Sequence, residues 1–442
     1  MTYSTQKILG AVSVPLIFSI INYGVLGINF NLIELFMVIM ISIFSIHFYS
    51  IHDDYLNPAF YFPILYFMLY WLSDFSFGFY PEVPTSLWNY YLLGLVGYYV
   101  GAFVISSIKI NIPTLDNKKD YLSKSARKVF IIFYVVIVFI KLIIYLKSGI
   151  PLLSSNIDAA RQSIGENYGA LKVISAPYTI LPVFFFYDIV LRKKEGLRIP
   201  ILDVLIILIS FIFAILDVSR LLIIQMVIPM IFIYLIKIKK LKLKTVAILA
   251  VLMIIFIGGN KLVRNILDDP MYLSSIQASR NNNMLGNVLL SAFTSFRVGI
   301  DDFRQLVDVV PFYSNYTHGM MFMNSILSPL PGKQIVMGYY VANLLGMQFD
   351  GIGAATTVLG MFYLDGGPLL IFFGMFFFAI FTIYFYRKYI QYSNVSIYSL
   401  FAIYILYYVI NTIRTNVMPT VEPVVFIFYY VIFGLIAKKN SI

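Results

Sequence analysis

Between Ile199 and Ile236 the chain carries only three charges, Asp203, Asp217 and Arg220. As one helix this run would be about 57 Å long, nearly twice the ~30 Å hydrocarbon thickness of a bilayer. It therefore reads as a hairpin of two helices, with Asp217, Val218 and Ser219 as the tight turn and Arg220 opening the second helix. Helix N-termini and guanidinium groups both favour anions. Arg220 is thus either a local partner of Asp217 or an anion-binding group at the membrane boundary.

The same apolar pattern recurs along the chain. Hydrophobic residues make up 60% and charged residues 12%, against about 25% charged in a soluble domain. The apolar runs do not alternate with polar residues as outer-membrane strands would. The expectation is an all-α polytopic membrane protein with about twelve spans. They fall near 8–27, 30–50, 58–79, 86–108, 128–147, 174–191, 200–216, 219–236, 245–258, 366–386, 397–413 and 421–437. The first run has no small-residue cleavage signal behind it and reads as a retained helix. With no cysteine, disulfides, thiolate chemistry and cysteine metal ligands are excluded.

Orientation follows from Lys and Arg. Segments 109–128, 192–198, 237–244, 387–388 and 438–439, with Lys7, hold 20 of the 32 basic residues, and all fall on one side when twelve spans alternate. Both termini are then cytoplasmic. The opposite side has two sizeable connections, 148–173 and 259–365. The chain thus divides into nine helices with a short external loop (1–258), a long external loop (259–365) and three more helices (366–442). The long loop is rich in Phe, Tyr, Leu and Met, and 286–300 reads as an amphipathic helix lying on the membrane face. Residues 334–347 read as a further helix or a re-entrant segment.

Basic residues change in kind across the membrane. The cytoplasmic clusters hold sixteen Lys and four Arg, whereas seven of the remaining twelve are Arg. The planar guanidinium fork matches phosphate oxygens, so external arginines suit a lipid-linked pyrophosphate. The candidates are Arg161, Arg220, Arg280, Arg297, Arg304 and Arg414. Each has a plainer reading: Arg161 pairs with Asp158, and Arg297, Asp301 and Arg304 form a solvated ion-pair ladder. Acid–base candidates are His318 in NYTHGMMF, Asp365 in YLDGGP and Glu422, near Arg414. Asp365 could equally cap span ten, with Gly366 and Gly367 shaping the turn. No Walker A, G-x-S-x-G, H-E-x-x-H or Asp-x-Asp sequence is present. A metal-independent, cofactor-free reaction on a substrate already activated by its lipid phosphate fits this pattern.

These features resemble the bacterial oligosaccharide repeat-unit polymerases, the Wzy-type O-antigen and capsule polymerases. The resemblance rests on GIPLL before Arg161, SRLL at Arg220, the long loop before span ten, and the stretch from Gly351 to Pro368 ending YLDGGP. It implies a GT-C-like glycosyltransferase of the bacterial cytoplasmic membrane that joins undecaprenyl-pyrophosphate-linked repeat units at the outer face. External arginines would hold the donor pyrophosphate, and an acidic residue or histidine would activate the acceptor hydroxyl. Partners would be the lipid-linked oligosaccharide and membrane lipid, with a chain-length regulator as a candidate protein partner and no nucleic acid. One departure is that Arg161 is followed eleven residues later by Lys172, where some members carry Gly. A lipid-linked oligosaccharide flippase and an O-antigen ligase are the competing readings. A flippase is expected to show pseudo-symmetric halves and charge within its spans.

Overall fold

The computed structural model describes residues 32–52, 56–74, 83–110, 122–154, 157, 160, 163, 164, 167–238, 258, 259, 262, 284–327, 337–347, 353–391, 399–414 and 422–439. Among them all regular structure is helical. In chain order the helices are α1 (Leu32–His52), α2 (Pro58–Asp74), α3 (Thr85–Ser107), α4 (Lys124–Ser148), α5 (Gly169–Ser175), α6 (Leu181–Lys194), α7 (Ile201–Leu216) and α8 (Arg220–Ile238). There follow α9 (Met284–Val309), α10 (Met320–Leu327), α11 (Met337–Leu344), α12 (Thr357–Tyr386), α13 (Ser399–Arg414) and α14 (Glu422–Lys439). Among the described residues, four stretches are long and apolar enough to cross a membrane: Thr85–Ser107, Lys124–Leu153, Val173–Lys194 and Thr357–Ile390. The expected spans at 8–27 and, apart from Gly258, at 245–258 lie outside the described residues.

The helices gather around two cores. One joins α1, α2, α3, α9, α11 and α12, with Met321 of α10 and the end of α13. The other joins α4, α6, α7, α8 and α14 around the first three turns of α13. In the first, α3 and α12 lie in very close contact. A Cβ on Gly97 would stand 2.4 Å from the Phe372 carbonyl oxygen, and one on Gly101 would stand 2.3 Å from that of Phe376. This four-residue glycine spacing lets two backbones approach where lipid offers no competing hydrophobic drive. At the far end of the same pair, Arg387 donates to the carbonyls of Ile105 and Ile108, satisfying the C-terminus of α3.

In the second core polar residues are buried among the apolar ones, while the outward faces are apolar. Helix α7 buries Asp203, Ile206, Ser210, Phe213 and Ala214, while Ile201, Leu205, Leu208, Ile212 and Ile215 stand exposed. That inversion suits a helix whose outer face meets hydrocarbon. Helix α4 answers residue for residue. Arg127 Nη2 donates to Asp203 Oδ2 at 2.9 Å, Tyr134 Oη lies 2.7 Å from Ser210 Oγ, and Lys141 Nζ donates to Asp217 Oδ2 at 2.6 Å. Each pair is separated by 76 positions, and successive rungs are one heptad apart on both helices. Two helices can keep such a register only by running parallel, as spans five and seven of the expected topology do.

Two expectations change. The helix expected over 286–300 runs from Met284 to Val309, and its apolar side packs into the first core through Ile300, Phe303 and Leu306. It therefore covers other helices with that face. Helix α12 begins at Thr357, nine residues before the expected span, and breaks at Gly366 and Gly367. Gly367 has φ 66° and Pro368 follows, so the chain cannot continue as a straight helix there.

Candidate functional site

The half-helix Thr357–Asp365 stands at the head of the broken span and is tied to the preceding segment at three levels. At its foot, the Ala355 amide donates to Asp302 Oδ2 at 2.9 Å. In its last turn, Tyr363 Oη donates to the Val310 carbonyl at 2.8 Å. At its end, the Thr317 amide donates to the Leu364 carbonyl at 2.9 Å, and Thr317 Oγ1 donates to Asp365 Oδ1. Ring contacts fill the space between, with Phe303 and Tyr316 each edge-on to Tyr363 at 5.8 and 5.9 Å.

Asp365 is 3% exposed. Besides Thr317, its carboxylate accepts from the amides of Met321 at 3.1 Å and Phe322 at 3.0 Å. It therefore caps α10, a helix 43 to 44 residues earlier in the chain, and the expected role at its own span gives way to this one. The carboxylate satisfies first-turn amides that would otherwise lack partners. Between Thr317 and α10, His318 takes φ 49° and Gly319 φ 85°. His318 is exposed. Only three non-glycine residues among those described are left-handed: Val218, His318 and Thr357. Two of them sit at opposite ends of this half-helix assembly, and such strain gathers where the surrounding structure over-determines a site. Gly367 completes the turn: a Cβ there would lie 2.8 Å from Tyr316 Oη.

Helix α9 brings the arginines to the same assembly. Arg297 is wholly buried (0%), and its Nε donates to Asp301 Oδ1 at 2.9 Å. Arg304, two turns later, is half-buried. The expected solvated ladder is thus a buried pair followed by a more accessible arginine. Burial raises the Asp301 carboxyl despite Arg297 beside it. Burial likewise lifts Asp302 to about 6, against the stabilising Ala355 N–H, with the Asp301 charge adding to the rise.

The hairpin at Asp217 has partners on other elements. Besides Lys141, its carboxylate accepts from Tyr145 Oη and Tyr178 Oη, both at 2.8 Å. Lys141 also lies 4.7 Å from the Tyr178 ring centre. The aspartate is thus compensated from α4 and from the turn before α6. The turn closes with Val218 N–H to Ile215 O at 2.9 Å and Ser219 N–H to Ala214 O at 3.3 Å, and α8 begins at Arg220 as expected. Tyr145 and Tyr178 were not singled out by sequence reasoning, in which Lys141 was only a mid-span charge. The heptads 127–134–141 and 203–210–217 were the available signal.

Other candidates are reached only in part. Arg414 ends α13 and Glu422 opens α14. The side chains of Arg220, Arg414 and Glu422, and all of Arg161 and Arg280, lie outside the described residues. At the opposite end of the bundle, Asp188 accepts from Arg127 and from Arg192 Nε at 2.6 Å. Lys237 stands 5.3 Å over the Tyr187 ring. The described parts of the basic segments 109–128, 192–198 and 237–244 therefore meet at one end, as their charge predicted.

Fold and site together define an all-helical protein with helices of membrane-spanning length and a broken helix clamped by a long connecting segment. Compared with known proteins, the chain matches no family model, no curated protein and no solved structure.

Proposed function

We propose that this protein polymerises undecaprenyl-pyrophosphate-linked oligosaccharide repeat units at the outer face of a bacterial cytoplasmic membrane, with twelve spans in a GT-C-like arrangement. The observation that carries the reading is the clamped half-helix Thr357–Asp365, which joins an exposed left-handed His318 to the arginine-bearing helix α9. Broken helices at membrane depth are a recurrent way to build a polar ligand site within an apolar bundle.

In the proposed reaction a sugar hydroxyl of the acceptor repeat attacks the anomeric carbon of the donor glycan. The new C–O bond forms as the bond to the pyrophosphate oxygen breaks, and its electron pair leaves on the phosphate. A base takes the hydroxyl proton, and arginines neutralise the departing pyrophosphate. Arg304, Arg161, Arg220, Arg280 and Arg414 are the guanidinium groups proposed for that task. Arg297, being buried against Asp301, supports the helix that carries Arg304.

The polar seam bears on the flippase alternative. Lys141 is matched by Asp217, and Arg127 and Arg192 by Asp188 and Asp203. Those buried charges neutralise one another across helices and lock α4 to α7, whereas a transport cavity needs charge facing its cargo and helices that rearrange.

The test uses purified full-length protein, a synthetic undecaprenyl-pyrophosphate repeat unit and a gel readout. A ladder that vanishes in Arg161→Ala and Arg220→Ala is the expected result. Single transfer to a lipid A core acceptor without a ladder would favour the ligase. Lipid-linked substrate crossing proteoliposomes without a ladder would replace the reading with a flippase.

A further inference from the structure

Resting on the polymerase reading, we infer that His318 is the base that meets the acceptor hydroxyl, and that Asp365 and Thr317 are positioning residues that hold it. Both Asp365 oxygens are engaged: Oδ1 by Thr317 Oγ1 and the Met321 amide, Oδ2 by the Phe322 amide. Buried at 3% exposure and already holding three donors, Asp365 is poorly placed to meet a substrate proton. The same bonds secure the residues on either side of His318. Thr317 is tied to Leu364 and Asp365 before it, and the Met320 amide returns to the Thr317 carbonyl at 3.0 Å after it.

This double attachment holds two successive left-handed residues, His318 at φ 49° and Gly319 at φ 85°. Histidine tolerates that region better than most residues, yet a lone pair of such residues in a loop is not self-supporting. The chemistry requires an imidazole nitrogen that takes the acceptor proton as the hydroxyl oxygen bonds the anomeric carbon and the pyrophosphate departs with the electron pair. A base contributes only from the right place. The lock supplies that placement from a threonine hydroxyl and a carboxylate that never touch substrate.

The experiment is a double-mutant cycle in the ladder assay, with full-length protein in detergent or nanodiscs and the synthetic donor lipid varied to separate kcat from KM. His318→Ala is expected to lower kcat by about 10²-fold or more. Asp365→Asn and Thr317→Val each lower it by roughly 10- to 10²-fold with donor KM unchanged, and Thr317→Ser restores it. In the His318→Ala background, Asp365→Asn costs nothing further. Equal losses from Asp365→Asn in both backgrounds, or full turnover by His318→Ala, would overturn the inference.

Amide exchange on the same proteins reads the lock without substrate. Faster exchange at Met321 and Phe322 in Asp365→Asn is expected, and unchanged exchange would overturn the lock even if a ladder forms. Should Asp365→Asn not fold, Thr317→Val carries the same comparison through a single lost hydroxyl. A wild-type protein that makes no ladder while its exchange shows the lock would sink the polymerase reading and the base assignment, leaving only the capping geometry.

Discussion

Asp217 and Asp365 each follow a leucine at the end of a helical segment, and a left-handed residue comes soon after, Val218 at φ 49° one position on or Gly367 at φ 66° two positions on. Both carboxylates are buried and both accept from three groups on other elements. They differ in what balances the charge. Asp217 meets an ammonium and two tyrosine hydroxyls, whereas Asp365 meets one threonine hydroxyl and two backbone amides at a helix N-terminus. The first is an ion pair inside the bundle. The second uses partial charges that no side-chain substitution can remove wholesale.

The difference predicts unequal sensitivity. Lys141→Met leaves the Asp217 charge without its cation and costs about 3–5 kcal/mol, read as a large drop in melting temperature. Lys141→Met with Asp217→Asn should recover most of that loss, because replacing both members of a buried pair is often nearly neutral. A double variant as unstable as the single one would show that the tyrosines, and not the charge balance, hold the hairpin. Next in size is Gly367→Ala, which forces a Cβ against Tyr316 at an unfavourable φ. It should cost roughly 1–3 kcal/mol. Asp365→Asn keeps one acceptor and should cost only about 1–2 kcal/mol of stability, with its main effect on turnover.

Asp302 gives the smallest effect, and one that depends on pH. Its carboxyl is raised to about 6 when folded, above an ordinary aspartate near 3.9. Between those values the folded protein binds the proton more tightly than the unfolded chain, so stability declines as pH rises from about 4 through about 6. Melting temperature should therefore increase on going from pH 7 to pH 5. Asp302→Asn, which still accepts from Ala355, should flatten that trend. An unchanged pH slope in this variant would assign the dependence to other groups.

Much of this was legible in the sequence. Apolar runs of bilayer length gave the helices, and the turn at 217–219 followed from one run being too long. The basic segments correctly foretold which ends of α4, α6, α7 and α8 meet. The partners of the key side chains were not legible. Lys141 and Asp217 lie in separate apolar helices, and either one alone reads as an isolated mid-span or turn charge. Nothing local tells Asp365 that its donors lie more than forty residues upstream. The start of α12 was missed for a related reason: residues 357–365 read as loop up to the turn at Gly366 and Gly367, whereas tertiary ties to Asp302, Val310 and Thr317 hold a half-helix there.

We propose that a lipid-linked glycan is extended at the His318 turn beside the broken helix. The direct measurement is a cell-free polymerisation with wild-type and His318→Ala proteins, each given the synthetic undecaprenyl-pyrophosphate repeat unit. The expected result is a ladder of products from the wild type and unextended substrate from the variant, at equal amounts of folded protein. A variant ladder as long and as fast as the wild type's would contradict it.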